Sequence, residues 1–267
     1  MTAAALTPVA VTLLGLLVGS FLNVCIYRLP RGESVVWPGS RCPACGRALA
    51  WFENVPVLGW LALGGRCRTC RAAIPVHYPL VEAATGALFL AAFLVYGPTP
   101  LMVVRVAFLC ALVVLFMIDL EHQILPDAIT LPGIVLGFAA SMFFAPGWQA
   151  SLIGLAVGGL FPFLVAEAYF RLRGREGMGM GDFKMLAMVG AVLGWPLVWI
   201  VLILSCVLGI VIGGGALLLT RRGLATRIPF GTFIAVAAVV GVLAGEPVVA
   251  VYERLLDVYQ AWAFSAL

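Results

Sequence analysis

The chain has 267 residues, 63% of them hydrophobic, with 16 Lys/Arg against 12 Asp/Glu. Soluble domains are about 45–50% apolar and about 25% charged, so a soluble globular enzyme is excluded for want of polar surface and a disordered chain for the same reason. What fits is an all-α polytopic membrane protein: at about 20 residues per span the apolar content supplies roughly eight transmembrane helices, and its continuous, non-alternating runs argue against a β-barrel.

No Lys or Arg precedes the first apolar run, and a secretory signal peptide needs a basic leading region. Leu6 to Tyr27 is therefore expected to be a retained first helix with its N-terminus outside. A polar loop, 28–78, follows on the inside. A second span is expected over 79–96, turning outside at Gly97-Pro98-Thr99-Pro100, and a third over 101–118, returning at Asp119 to Asp127. The fourth covers about 128–145 and turns near Pro146-Gly147; the fifth covers about 151–170. Residues 183–219 exceed one span and contain Trp195-Pro196, a break that splits them into a short sixth helix and a seventh. The eighth covers about 228–245. Glu246 to Leu267 is less apolar, with Val248, Val251, Tyr252, Leu255 and Leu256 at helical spacing, and reads as an amphipathic helix on the outer interface.

The division is thus a first helix (1–27), a loop domain (28–78), a seven-helix membrane core (79–245) and a C-terminal amphipathic segment (246–267). The basic residues test the topology. Arg28, Arg31, Arg41, Arg47, Arg66, Arg68 and Arg71 share the first loop; Arg171, Arg173, Arg175 and Lys184 a second; Arg221, Arg222 and Arg227 a third. The positive-inside rule puts all three on the cytoplasmic side. The net charge of +4 is then a topology signal, and no nucleic-acid-binding pattern accompanies it.

Four of the seven cysteines form Cys42-Pro43-Ala44-Cys45 and Cys67-Arg68-Thr69-Cys70 in the first loop. A reducing compartment argues against disulfides there. Two such pairs supply four thiolates to one tetrahedral ion, for which Zn²⁺ is the usual occupant. The expectation is a cytoplasmic zinc-ribbon-like loop domain stapled by a structural metal, with a redox dithiol pair as the competing reading. Cys25, Cys110 and Cys206 read as small buried hydrophobes.

Three of the four aspartates lie at expected cytoplasmic ends of spans, where ionisable groups near hydrocarbon are functional candidates. Asp127 precedes an apolar run and can serve as an N-cap. Asp182 follows Gly177-Met178-Gly179-Met180-Gly181, whose glycines permit another backbone to approach. Asp119 closes a helix, where a negative charge opposes the macrodipole. Two facing carboxylates can share one proton and activate water; an ion or proton pathway is the alternative from spacing alone.

Taken in order, these elements resemble the type IV prepilin peptidases, bifunctional leader peptidase/N-methyltransferases with a GxGD aspartic protease element. The resemblance spans nearly the whole chain. It rests on Gly19-Ser20-Phe21-Leu22-Asn23-Val24 through Tyr27-Arg28-Leu29-Pro30, both cysteine pairs, and Glu53-Asn54-Val55-Pro56. It continues with Tyr78-Pro79-Leu80-Val81-Glu82, Ile118-Asp119-Leu120 through Leu125-Pro126-Asp127, Gly179-Met180-Gly181-Asp182, and Ile228-Pro229-Phe230-Gly231. It implies that Asp119 and Asp182 are catalytic, and that Cys42, Cys45, Cys67 and Cys70 are the family's tetracysteine set. It also implies prepilins or pseudopilins as substrates, cut at the cytoplasmic face of the bacterial inner membrane. Methylation of the new N-terminus with S-adenosylmethionine would follow. No methyltransferase fold is visible, and loop 28–78, the one large polar region, is the expected support for that step.

Gly179, Gly181, Asp127, Glu82 and Lys184 are expected to support the site or its substrate. Asn23 and Glu82 are expected to hydrogen-bond neighbouring helices, Glu167 and His122 to be interfacial, and Arg105 to snorkel outward. The alternative function is a transporter or channel with intramembrane carboxylates and a zinc-stabilised loop. It would place carboxylates near the midplane in repeated, broken helices, and no internal repeat is found. A non-catalytic assembly subunit is a third reading, against which the intact aspartates stand.

Overall fold

A computed structural model describes residues 3–175, 177–215 and 229–265. The expected inner loop 220–227, with Arg221, Arg222 and Arg227, and the end of the expected seventh span lie outside the described residues. Most of the described residues are helical, the loop between Arg28 and His77 being the main exception, and no sheet occurs among them. Contacts divide the chain into two compact units, Met1–Pro126 and Asp127–Leu267.

The first unit holds α1 (Ala3–Arg28), the short α2 (Leu58–Ala62), α3 (His77–Tyr96) and α4 (Pro100–His122). Two single-turn 3₁₀ segments, Leu29–Arg31 and Trp51–Asn54, lie in the loop between α1 and α2. Glycines seat α1 against α3. A Cβ on Gly19 would meet the Glu82 backbone at 2.7 Å, and one on Gly15 the Gly86 Cα at 2.9 Å. This four-residue spacing of small residues brings helix backbones together where a bilayer offers no hydrophobic drive to do so. Outward, Leu13, Leu14 and Leu17 are each more than half exposed, as a lipid-facing stripe must be. Thr99 Oγ1 accepts from the Met102 N–H and starts α4 after the turn at Gly97. Arg105, expected to snorkel outward, is instead 5% exposed, buried with Phe108, Leu109 and Leu112 in the interior of this unit.

The second unit holds α5 (Asp127–Ser141), α6 (Trp148–Leu155), a π-helical segment Ala156–Leu160, and α7 (Phe161–Arg173). It continues with α8 (Met180–Leu193), α9 (Leu197–Leu208), a second π-helical segment Gly209–Gly214, and α10 (Phe230–Ser265). The break expected at Trp195-Pro196 is present: α8 stops at Gly194, in the left-handed region, and α9 starts at Leu197. α10 is two helical stretches that meet at a kink at Ala244, whose φ/ψ are non-helical, with Pro247 at the start of the second.

Helix α8 is the centre of this unit. Every residue from Met185 to Leu193 is buried, so neither its pattern nor its 14-residue length resembles a lipid-facing span. Gly154 on α6 and Gly190 on α8 are pressed backbone to backbone, and a Cβ on either would overlap the other's carbonyl. Ser151 Oγ donates to the Ala191 carbonyl at 2.6 Å beside this crossing. Gly190→Val should therefore split α6 from α8. The expected result is loss of folded protein in detergent, read as a melting-temperature drop of tens of degrees or as aggregation, whereas Gly214→Val, with nothing among the described residues within 4 Å of its Cβ, should leave melting unchanged.

Five helical stretches are long and apolar enough to cross a membrane: Thr7–Arg31, His77–Tyr96, Pro100–His122, Trp148–Arg173 and Leu197–Gly214. With the shorter α5, α8 and the first part of α10, they occupy the eight segments expected from the sequence. The chain is an all-α multi-pass membrane protein.

Candidate active site and metal centre

Two knuckles are built alike in the loop between α1 and α3. In the first, the Gly46 N–H donates to the Cys42 carbonyl, and the Cys42 N–H to the Arg47 carbonyl. In the second, the Arg71 N–H donates to Cys67 and the Cys67 N–H to Ala72. A single bridge flanks each, Arg41 with Ala48 and Arg66 with Ala73. The residue after the second cysteine must turn left-handed; Gly46 does so freely at φ 70°, and Arg71 does so at φ 60° against the cost borne by a residue with a Cβ.

The four cysteine Sγ atoms lie within 4.8 Å of one another, and Cys42 Sγ is 3.8 Å from Cys70 Sγ across the knuckles. A tetrahedral ion with Zn–S bonds of about 2.3 Å requires an S–S separation of about 3.8 Å, so the donor set fits one such ion. The electrostatics agree. Backbone N–H groups of Cys70 and Thr69 pull the Cys67 thiol down to about 6. At Cys70 the Ala72 N–H acts the same way, but burial and the neighbouring thiols outweigh it and push that group up to about 11.

An ion pair, buried at its Glu53 end and part-exposed at Arg47, braces the first knuckle. Arg47 Nη2 donates to Glu53 Oε1 at 2.7 Å, and the Ala50 N–H donates to Glu53 Oε2 at 2.8 Å. Arg47 and that amide hold the Glu53 carboxyl below its usual range. Membrane helices pin the same loop. Glu82 Oε2 accepts from the Val57 N–H at 2.7 Å, and Arg28 donates to the carbonyls of Ser34 and Gly39, while Asn23 Nδ2 of α1 donates to the Tyr78 carbonyl of α3 at 3.1 Å, the helix–helix bond expected of it. Glu82 thus bonds the loop at Val57 and, as expected, a neighbouring helix at Ser20 of α1. Glu53 and Arg47 were not singled out as site residues; a glutamate in an otherwise apolar stretch, six residues after an arginine, was the available signal.

Asp119, in the first unit, is 5% exposed near the end of α4. The helix closes just beyond it at Gln123, which turns left-handed and donates its N–H to the Asp119 carbonyl at 2.9 Å. His77 Nδ1 lies 3.6 Å from Glu121 beside it.

In the second unit, Asp182 occupies the third position of α8, and its Oδ2 accepts from the Gly179 N–H at 3.3 Å. Among the described residues that same carboxylate oxygen is the one atom within 4 Å of a Cβ on Gly179, at 3.3 Å, so the approach seen there is made by Asp182 rather than by a second backbone. Gly181 lies between them, in the first turn. Asp127 stands at the first helical position of α5 rather than ahead of it, and both its oxygens accept from Lys184 Nζ at 2.8 Å. Lys184 therefore ties the start of α5 to the turn that carries Asp182. Glu167 is engaged with Arg171 at 2.7 Å on α7.

Residues 13–96 match the family model described as the bacterial peptidase A24 N-terminal domain, and residues 106–214 the type IV leader peptidase family. The chain is 38% identical over 269 residues to a prepilin leader peptidase/N-methyltransferase of Pseudomonas putida, covering 92% of this chain and 93% of that protein. It is 38% identical over 267 residues to the protein of that name in Pseudomonas aeruginosa, covering 90% and 91%. It is 45% identical over 212 residues to another in Myxococcus xanthus, covering 78% of this chain and 63% of that one. No solved structure matches the chain.

Proposed function

Because the chain belongs to the type IV leader peptidase family, we propose that it removes the leader of prepilins or pseudopilins with Asp119 and Asp182 as its catalytic pair. It then N-methylates the new terminus. The observation that carries the reading is that both aspartates fall within the stretch 106–214 matched to the peptidase family, each in an end turn of an apolar helix. Substrates of this class carry a basic leader followed by an apolar helix. That helix lies in the bilayer, so its scissile bond reaches the membrane border.

One aspartate, ionised, takes a proton from water as the oxygen attacks the scissile carbonyl. The other, protonated, donates to the carbonyl oxygen, and a proton is then returned to the departing amine. Asp182 is oriented for this by the Gly179 N–H, and its turn is held by the Lys184–Asp127 ion pair.

Cys42, Cys45, Cys67 and Cys70 hold Zn²⁺ in this reading. Four thiolates leave no open coordination position, so the ion organises the loop and takes no part in hydrolysis. Methyl transfer, with S-adenosylmethionine as donor, is assigned to loop 28–78. The enzyme acts from the cytoplasmic face of the bacterial inner membrane, in contact with lipid and its prepilin substrates and with no nucleic acid. An intramembrane-carboxylate transporter is disfavoured by the same family match.

Co-expression with a prepilin, reading leader removal and N-terminal mass together, tests the whole reading: a product shortened by its leader and heavier by one methyl group is expected, and an unprocessed prepilin would refute it. Topology is checked separately. Cysteine-accessibility labelling should find residues 31–75, 171–181 and 221–227 cytoplasmic and 97–100 outside; labelling of 171–181 from the periplasm would overturn the orientation.

A further inference from the structure

A cavity of about 400 Å³ lies within the first unit, lined by the ends of α1 and α3 on one side and by both cysteine knuckles on the other. That volume falls in the range of small-molecule sites, roughly 300–1,000 Å³. Its polar groups divide into two sets. The Glu53 and Glu82 carboxylates and the Arg28 guanidinium are spent on the bonds that shape the loop. Glu33, Arg41, Asn54 and Arg68 are exposed and line the same space.

Two lining residues also carry a buried polar atom without a partner among the described residues, Asn23 Oδ1 and Arg47 Nε. Buried polar atoms are ordinarily paired, so an acceptor and a donor left over at one cavity point to a ligand that completes them. The ring systems of Trp60 and Tyr78 line the same space; Tyr78 stacks one face on His77 with centroids 4.6 Å apart, which leaves its other face and the Trp60 ring for a planar base or a cation.

From this arrangement we propose that the cavity is the S-adenosylmethionine site, a proposal that rests on the assignment of methyl transfer to loop 28–78. The donor has a planar base, a sulfonium cation and an amino-acid zwitterion. Trp60 and Tyr78 suit the base and the cation; Arg41 or Arg68 pairs with the carboxylate, and Glu33 with the ammonium. Asn54 contributes an amide for the polar edge of the base or ribose. When bound, the donor supplies an electrophilic methyl: a neutral N-terminal amine forms the N–C bond, the S–C bond breaks with its electron pair passing to sulfur, and one proton leaves the nitrogen.

The position of the cavity gives the step its logic. Its α1 and α3 wall, at Asn23 and Glu82, belongs to the membrane helices, so an amine freed at the bilayer border can enter from that side. The knuckle wall, at Cys42 and Cys67, belongs to the polar loop from which a soluble donor arrives. The metal then has a role in methyl transfer that it lacks in hydrolysis, because it holds one wall of the donor site.

The test uses the full chain in lipid nanodiscs. Equilibrium binding of radiolabelled S-adenosylmethionine should saturate at about one per chain and be competed by S-adenosylhomocysteine. Asn54→Ala, which removes a lining amide, and Ala44→Trp, which sets an indole at the knuckle wall, should each weaken binding at least tenfold, with zinc content and melting temperature unchanged. A photoactivatable donor analogue should label peptides within residues 20–82. Wild-type binding by both variants, or labelling confined to 127–265, would overturn the cavity assignment while leaving methylation itself intact. If the unaltered enzyme neither binds the donor nor methylates its product, the methyl-transfer reading falls, and the cavity assignment with it.

Discussion

Asp119→Asn and Asp182→Asn should each abolish leader cleavage, with a loss of about 10³-fold or more, because each substitution removes one half of a proton exchange that neither partner performs alone. An asparagine preserves the size of the side chain and cannot carry the proton. Asp127→Asn is the informative control. It breaks the pair with Lys184, whose members are part-exposed, and such a pair contributes at most about 1 kcal/mol. Cleavage should then fall within about fivefold of wild type. The assay is leader removal from a co-expressed prepilin, with membrane insertion of each variant verified by protease protection. Wild-type cleavage by either of the first two variants would sink the assignment of the pair, and complete loss in Asp127→Asn would make Lys184 part of the chemistry rather than of its support.

The contrast between these aspartates shows what a linear reading can and cannot reach. Asp119 is legible, because a carboxylate at the C-terminal end of an apolar helix is unfavourable unless it has a use, and the structure buries it there. For Asp127 the local rule favours capping, but a residue 57 positions further on competes for the carboxylate, and that distance in sequence hides it. The glycines before Asp182 were legible as a close approach, but not as an approach by Asp182 itself. Likewise the hydropathy pattern finds α8 as a helix and misses its burial. What buries it is the fit of Gly154 and Gly158 against Gly190 and the Leu186 carbonyl, which is a property of two surfaces and not of one segment. Arg105 fails for a related reason: snorkelling is the default for a cation near a helix end, and packing within the unit overrides it.

The cysteines separate scaffold from chemistry. Purified protein should contain about one zinc per chain, and replacing any one of Cys42, Cys45, Cys67 or Cys70 with Ser should lose it. The reason is physical. A structural zinc site contributes about 10–16 kcal/mol to small domains that fold around it, and this loop is otherwise held by two short helical turns, isolated bridges, one part-exposed ion pair and pins from Arg28 and Glu82. Single Cys→Ser variants should therefore keep measurable cleavage, since two carboxylates suffice to activate water, while protease resistance of residues 31–75 is lost. Methylation should fail in the same preparations, because Cys42 and Cys67 line the cavity assigned to the methyl donor. The competing idea is a metallopeptidase whose zinc activates the water, which would require one thiolate to give up its place. Metal analysis beside cleavage and N-terminal mass on one set of samples decides between them: complete loss of cleavage on gentle zinc removal, with Asp119 and Asp182 intact and the helices still folded, would count against a structural ion, whereas cleaved but unmethylated product is the outcome expected here.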